Sequence, residues 1–262
     1  YKVWRASEDP RALRNGPIKS NQIGIKSNIQ IIKNQSFMWL INSPIGRKVV
    51  MSLTGICLVL FLTFHCAMNV AAFFSGDAYN AVCEFLGANW YAVVGTLGLA
   101  FLACCHIVYA FILTAQNRRA RGDQRYAVSN RRPEVSWASQ NMLVLGIIIA
   151  IGLLLHLYNF WAHMMLAEFT GAQNAIGAAD GFGWIKEVFS CPVYSVLYLV
   201  WIVALWFHLT HGFWSSMQTL GWSGKIWLKR WQAIGVVYVT VLLGVFAILV
   251  LSFWLGFAPS MC

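Results

Sequence analysis

Six residues stand out as able to do chemistry: His65, His106, His156, His163, His208 and His211. All lie in or at the ends of strongly apolar blocks, where an ionisable side chain is costly and usually faces the interior of a helix bundle. A lone histidine in such a place is as often a helix–helix hydrogen bond as a ligand. Four successive blocks contributing one each form a different pattern, because paired neutral imidazoles can fill both axial positions of a haem iron. Such a site has no open coordination position, which favours electron transfer over oxygen binding. The sequence contains no CxxCH run, so c-type covalent attachment is excluded.

The elements that must carry these histidines are legible from composition. The chain has 262 residues, 59% hydrophobic and only 11% charged, against about a quarter charged in a soluble domain. Five apolar blocks, near 48–74, 89–115, 138–166, 192–220 and 233–257, each reach the roughly 20 residues that a helix needs to cross a bilayer. Helices buried in a soluble protein would show polar faces that these blocks lack, and barrel strands would be only about ten residues long. The fold class expected is an all-α integral membrane protein of five transmembrane helices, the first four forming a haem-binding bundle. Residues 1–37 show no helical periodicity and no signal-peptide core, and read as a flexible or extraneous extension. Residues 38–262 read as the five-helix domain, with Met38 as a candidate natural start.

The net charge of +10 is distributed as membrane topology requires. Arg47 and Lys48 precede the first block. Arg118, Arg119, Arg121, Arg125, Arg131 and Arg132 lie between the second and third, and Lys225, Lys229 and Arg230 between the fourth and fifth. The other two connections hold Lys186 against Asp77, Glu84, Glu168, Asp180 and Glu187. By the positive-inside rule the N-terminus is cytoplasmic and the C-terminus outside. No continuous basic face tracks phosphates, which argues against a nucleic-acid partner. Cys57, Cys66, Cys104 and Cys105 sit in apolar blocks as small hydrophobes. Cys83 and Cys191 fall in two outer loops, where a bridge between them is feasible.

Helical rise converts position into depth. His65, 17 residues beyond Lys48, and His156, 18 beyond Ala138, lie roughly 26 Å from the inner edge. His106, 12 residues before Arg118, and His208, 13 before Gly221, lie roughly 18–20 Å from it. The four sort into an outer pair, His65 with His156, and an inner pair, His106 with His208, as two stacked haems require. His211, three residues after His208, shares its helix face, so spacing alone leaves either as ligand. His163, seven after His156, is expected on the same face as His156 near the outer surface, as an interfacial polar residue or a quinone or propionate contact.

At this point the residues resemble a known family, the five-helix dihaem cytochrome b subunit of bacterial succinate dehydrogenase and fumarate reductase, over about residues 38–257. Ser52, Thr54 and Gly55 in SLTGICLVLFLTFH resemble the family's S-x-T-G run before its first ligand, His65. His106 stands in CCHIVYAF, and His156 follows Gly146 by ten residues. FHLTHGFWSSMQTLGW resembles the family's F-H-x-x-x-G-x-W segment. The resemblance selects His208 over His211 and implies His65 and His156 for the distal haem, His106 and His208 for the proximal one. Ser52 and His211 are secondary candidates for cofactor contact, and Glu84 and His163 are candidates for the quinone. Some members carry a glutamate two residues before the fourth ligand; Trp206 stands there, so a proton role for that carboxylate does not transfer.

The family implies a quinone-reactive subunit of an oxidoreductase in the bacterial inner membrane. It implies two b-type haems and a quinone (menaquinone over ubiquinone), with flavoprotein and iron–sulfur subunits on the cytoplasmic face. The dicarboxylate chemistry would belong to the flavoprotein. Two other readings share some of these features: a dihaem cytochrome b of another quinone-linked dehydrogenase or hydrogenase, with two histidines on one helix, and a non-haem transporter, with broken helices and inverted repeats.

Overall fold

A computed structural model describes residues 43–87, 89–121, 137–172 and 174–257. The extension 1–37, Met38, Arg125, Arg131 and Arg132 lie outside the described residues. The described residues from Lys48 onward form one compact unit, and Pro44–Arg47, the first residues of the first helix, fall outside it.

Every described element is helical. In chain order these are α1 (Pro44–Asn69), a 3-10 turn (Val70–Phe73), α2 (Gly76–Phe85), α3 (Trp90–Arg121), a short α4 (Trp137–Gln140) and α5 (Met142–His156). A π-helical segment (Leu157–Leu166) follows, then α6 (Ala167–Thr170), α7 (Gly181–Ser190), α8 (Pro192–Thr219) and α9 (Lys225–Trp254). Five helices are long and apolar enough to cross a membrane: Pro44–Phe73, Trp90–Ala120, Met142–Thr170, Pro192–Thr219 and Lys225–Trp254. Leu60, Phe101, Leu154 and Val237 are all more than 60% exposed, as side chains facing acyl chains would be and as a water-facing surface would not tolerate.

Two boundaries differ from the sequence expectation. Arg118 and Arg119 lie in the last turns of α3, and Lys225, Lys229 and Arg230 in the first turns of α9, not in loops. Long basic side chains prolong a spanning helix beyond the hydrocarbon because their stems stay apolar while their heads reach water. Arg230 accordingly lies over the Trp227 ring at 5.1 Å.

Two connections contain helices that hydropathy alone does not reveal. Ser75 starts α2, its Oγ accepting from the amides of Asp77 and Ala78, and Asp180 starts α7 by accepting from the amide of Gly183 at 2.9 Å. These side chains satisfy amides that a helix start leaves without partners. Asn80 joins the two, donating to Asp180 at 2.8 Å and accepting from the amide of Phe182 at 2.8 Å. The buried face of α7 (Phe182, Ile185, Val188, Phe189) packs on Tyr198 of α8 and on Leu249, Val250 and Phe253 of α9. This layer closes one end of the bundle.

Candidate functional site

The histidines stand on four different helices, and the spacing of those helices is uneven. Close backbone packing is concentrated between α8 and α9 and between α5 and α8, while α3 meets the rest along a short stretch of α5 and α1 packs closely on no other span. Polar links tether α1 instead. Thr63 and Tyr238 share a hydrogen bond, and the Cys66 thiol donates to the Leu242 carbonyl at 3.7 Å.

Within this frame the rings that depth arithmetic puts at one level lie side by side. His65 of α1 and His156 of α5 have ring centroids 5.8 Å apart with planes at 82°. His106 of α3 and His208 of α8 are 6.4 Å apart at 66°. Two imidazoles on opposite sides of one metal, with bonds of about 2 Å and ring nitrogens about 1 Å from each ring centre, have centroids about 6 Å apart. All four rings are only half-buried, although Nδ1 of His156 and of His208 is sealed and has no hydrogen-bond partner. A buried imidazole nitrogen without a partner is an orphaned polar atom, and one in each pair of rings about 6 Å apart fits a bis-imidazole haem site. Glycines contribute room at the His106–His208 pair. A Cβ on Gly55 would lie 3.3 Å from Cε1 of His106, and one on Gly146 would lie 4.0 Å from Cε1 of His208. Among the described residues no group of three or more His, Cys, Asp or Glu could hold a bare metal ion, so each histidine pair stands without a third such side chain.

The surroundings of the two pairs differ. Around His156 lie Phe160, Tyr198 and Trp201, with centroids 5.2, 6.2 and 5.8 Å away, while Phe61 and Phe246 stack on His65 at 5.7 and 5.6 Å. Trp201 reaches this position because Gly152 has no Cβ. One would come 2.2 Å from the indole, whose Nε1 instead donates to the Ile149 carbonyl at 3.1 Å. The aromatic wall was not foreseen: its members look like ordinary apolar helix residues in sequence. One paired ring has a polar side-chain partner on another helix: Oγ1 of Thr54 lies 3.2 Å from Nδ1 of His106.

The secondary candidates are scattered. Ser52 is buried on α1. The Nδ1 of His211 is buried without a partner, and the ring lies 4.8 Å from Trp214. His163 does not share a face with His156 as an α-helical heptad would dictate. The intervening π segment has i→i+5 bonding and a wider turn, so seven residues fall short of two turns. His163 stacks on Trp184 of α7 at 4.7 Å, and its Nδ1 donates to the Tyr158 carbonyl at 2.7 Å, leaving Nε2 as an acceptor. Glu84 lines a separate shallow cavity of about 390 Å³ with Asp77, Asn80 and Asp180, and no hydrogen bond joins it to His163. Trp206, at the position of the missing carboxylate, donates to Thr240 at 2.8 Å.

Cys83 and Cys191 are both free thiols, so the feasible bridge is not formed. Cys83 lies under Gly181, where a Cβ would come 2.3 Å from its sulfur. Burial, together with the Asp180 charge, pushes the Cys83 thiol from 9.0 to about 11 against a hydrogen bond from Tyr79 that lowers it. Burial likewise raises the Tyr79 phenol. Because the thiolate is the nucleophile, Cys83 in intact protein should resist alkylation at pH 8 and react only as pH approaches 11. The same shift stabilises the fold fully below about pH 9, and that contribution declines as pH rises toward 11. Mass-spectrometric labelling across pH checks both, and rapid modification of Cys83 at pH 8 in folded protein would contradict them.

The described fold is thus an all-helical bundle of five membrane-length helices in which four helices bring two histidine pairs together. Its sequence is 24% identical, over 172 residues covering 65% of this chain and 77% of the relative, to the succinate dehydrogenase cytochrome b558 subunit of Bacillus subtilis (strain 168). No protein-family model and no solved structure matches the chain.

Proposed function

We propose that this chain is the membrane-anchor dihaem cytochrome b subunit of a succinate:quinone oxidoreductase. The observation that carries the reading is the pairing of four histidines from four helices at separations suited to bis-imidazole iron; the named relative supplies the kind of complex. His65 and His156 hold the outer b-type haem, and His106 and His208 the inner one. When bound, the haems supply one-electron carriage between an iron–sulfur subunit at the cytoplasmic face and a membrane quinone.

The protein's own residues do the rest. Helices α1, α3, α5 and α8 fix the ligands at two depths. The aromatic wall of Phe160, Tyr198 and Trp201 and the cap of α2 and α7 exclude water from the outer pair. Neutral imidazoles spare the interior the cost of additional buried anions. His163, with Nε2 free to accept, and Glu84 are the groups proposed to meet the quinone at the capped end. The basic ends of α3 and α9 face the cytoplasm, where a flavoprotein and an iron–sulfur subunit dock, and the dicarboxylate chemistry resides in the flavoprotein. The setting is a bacterial inner membrane, with the N-terminus inside, the C-terminus outside and menaquinone as the favoured quinone.

The test is a dithionite-reduced-minus-oxidised spectrum with haem quantification on the purified protein. About two b-type haems per chain are expected from the two ligand pairs. Well-folded protein without haem would end the reading and leave the histidines to transport or helix packing.

A further inference from the structure

Thr54 lies on α1, the helix that also carries His65, yet it touches the other pair. Its side chain is buried, and its Oγ1 is 2.9 Å from the Val50 carbonyl, 3.1 Å from the Met51 carbonyl and 3.2 Å from Nδ1 of His106. A hydroxyl has one proton, and both carbonyls can only accept. The shortest of the three contacts, to the Val50 carbonyl one turn back on α1, assigns the proton there and leaves an oxygen lone pair facing the ring. The Met51 carbonyl, a second acceptor, also lies beside the ring. Nδ1 of His106 must then carry hydrogen, and Nε2 is the nitrogen with the free lone pair. The next residue, Gly55, lets the ring approach, its absent Cβ leaving Cε1 of His106 only 3.3 Å from where that atom would stand. Nδ1 of His208 has no partner, so the inner pair is asymmetric.

We propose that Thr54 is a positioning residue for the inner pair, fixing the tautomer and orientation of His106 and raising its basicity as an axial ligand. This rests on reading His106 and His208 as haem ligands. Outer-shell acceptors of a ligating histidine orient the ring and make it a stronger donor. A stronger donor stabilises ferric over ferrous iron, so Thr54 lowers the potential of the inner haem and leaves the outer one alone. Helix α1 thereby serves both pairs, supplying a ligand to one and an acceptor to the other.

The test is a potentiometric titration of the intact protein, followed by visible absorbance, on wild type, Thr54→Val and Thr54→Ser. The inner wave is identified by its loss in His208→Ala. Thr54→Val should shift the inner haem's reduction constant about tenfold toward the reduced form, equivalent to 59 mV for one electron, while the outer wave stays in place and Thr54→Ser restores the wild-type value. Two unmoved waves in Thr54→Val would overturn the proposal and leave the dihaem reading intact, whereas wild type without haem would remove both. Should Thr54→Val fail to accumulate, nitrogen-15 NMR of reduced wild type decides. An exchange-protected, downfield Nδ1 proton for His106 supports the hydrogen bond, and a signal no different from those of His156 and His208 overturns it.

Discussion

His156→Ala and His208→Ala should each lower haem content from about two b haems per chain to about one, and the double variant should retain none. The basis is that the rings meet in separate pairs, His65 with His156 at 5.8 Å and His106 with His208 at 6.4 Å. With haem held as proposed, removing one ring would take one of the two iron–protein bonds from a single site and leave the other site complete. His65→Ala should reproduce the spectrum of His156→Ala, and His106→Ala that of His208→Ala. His211→Ala should keep both haems, since its ring lies against Trp214. Pyridine haemochrome assay and low-temperature difference spectra read the outcome. Loss of both haems from either single variant, or of one from His211→Ala, would mean that the pairs are misassigned. The near-perpendicular ring planes, at 82° and 66°, also lead us to expect strongly anisotropic low-spin ferric signals in electron paramagnetic resonance.

The second large effect comes from a residue with no polar group at all. Gly152→Val places carbon 2.2 Å from the Trp201 indole, far inside contact distance, in a bundle where α5 and α8 pack closely. Overpacking of this kind costs about 1–3 kcal/mol, and here relief requires Trp201 to leave the Ile149 carbonyl and the wall around His156. Gly152→Val should therefore lower thermal stability and weaken haem retention at the outer pair first. Gly95→Ala on the exposed face of α3, where a Cβ meets nothing within 4 Å, is the matched control and should be neutral. Spectra recorded during heating separate the two sites. Equal loss from both pairs in Gly152→Val would show that Trp201 supports the whole bundle instead of the outer pair.

Much of this architecture is one-dimensional information. A spanning helix must be apolar for about 20 residues and rises by a constant 1.5 Å per residue, so the number of membrane-length helices and the position of each histidine along its helix were legible in the sequence alone. Depth was enough to anticipate which rings would lie side by side. It was not enough to anticipate what surrounds them, because lateral position and rotation of helices are set by packing between segments far apart in the chain. Thr54 meets His106 across 52 positions, and no period in either helix announces it. The slot that Gly152 opens for Trp201 is equally invisible until α5 and α8 are docked. The π segment after His156 turned His163 off the face that its heptad spacing implied, since hydropathy is identical for α and π turns. The capping helices α2 and α7 were missed because ten residues each are too few to span, although Ser75 and Asp180 are ordinary helix-start signals. Tertiary structure likewise left Cys83 and Cys191 as free thiols, with Cys83 half-buried beneath Gly181. The sequence carries the vertical coordinate of this protein through hydrophobicity and helical rise; only the tertiary fold supplies the horizontal one, where partners across helices decide how each imidazole is held.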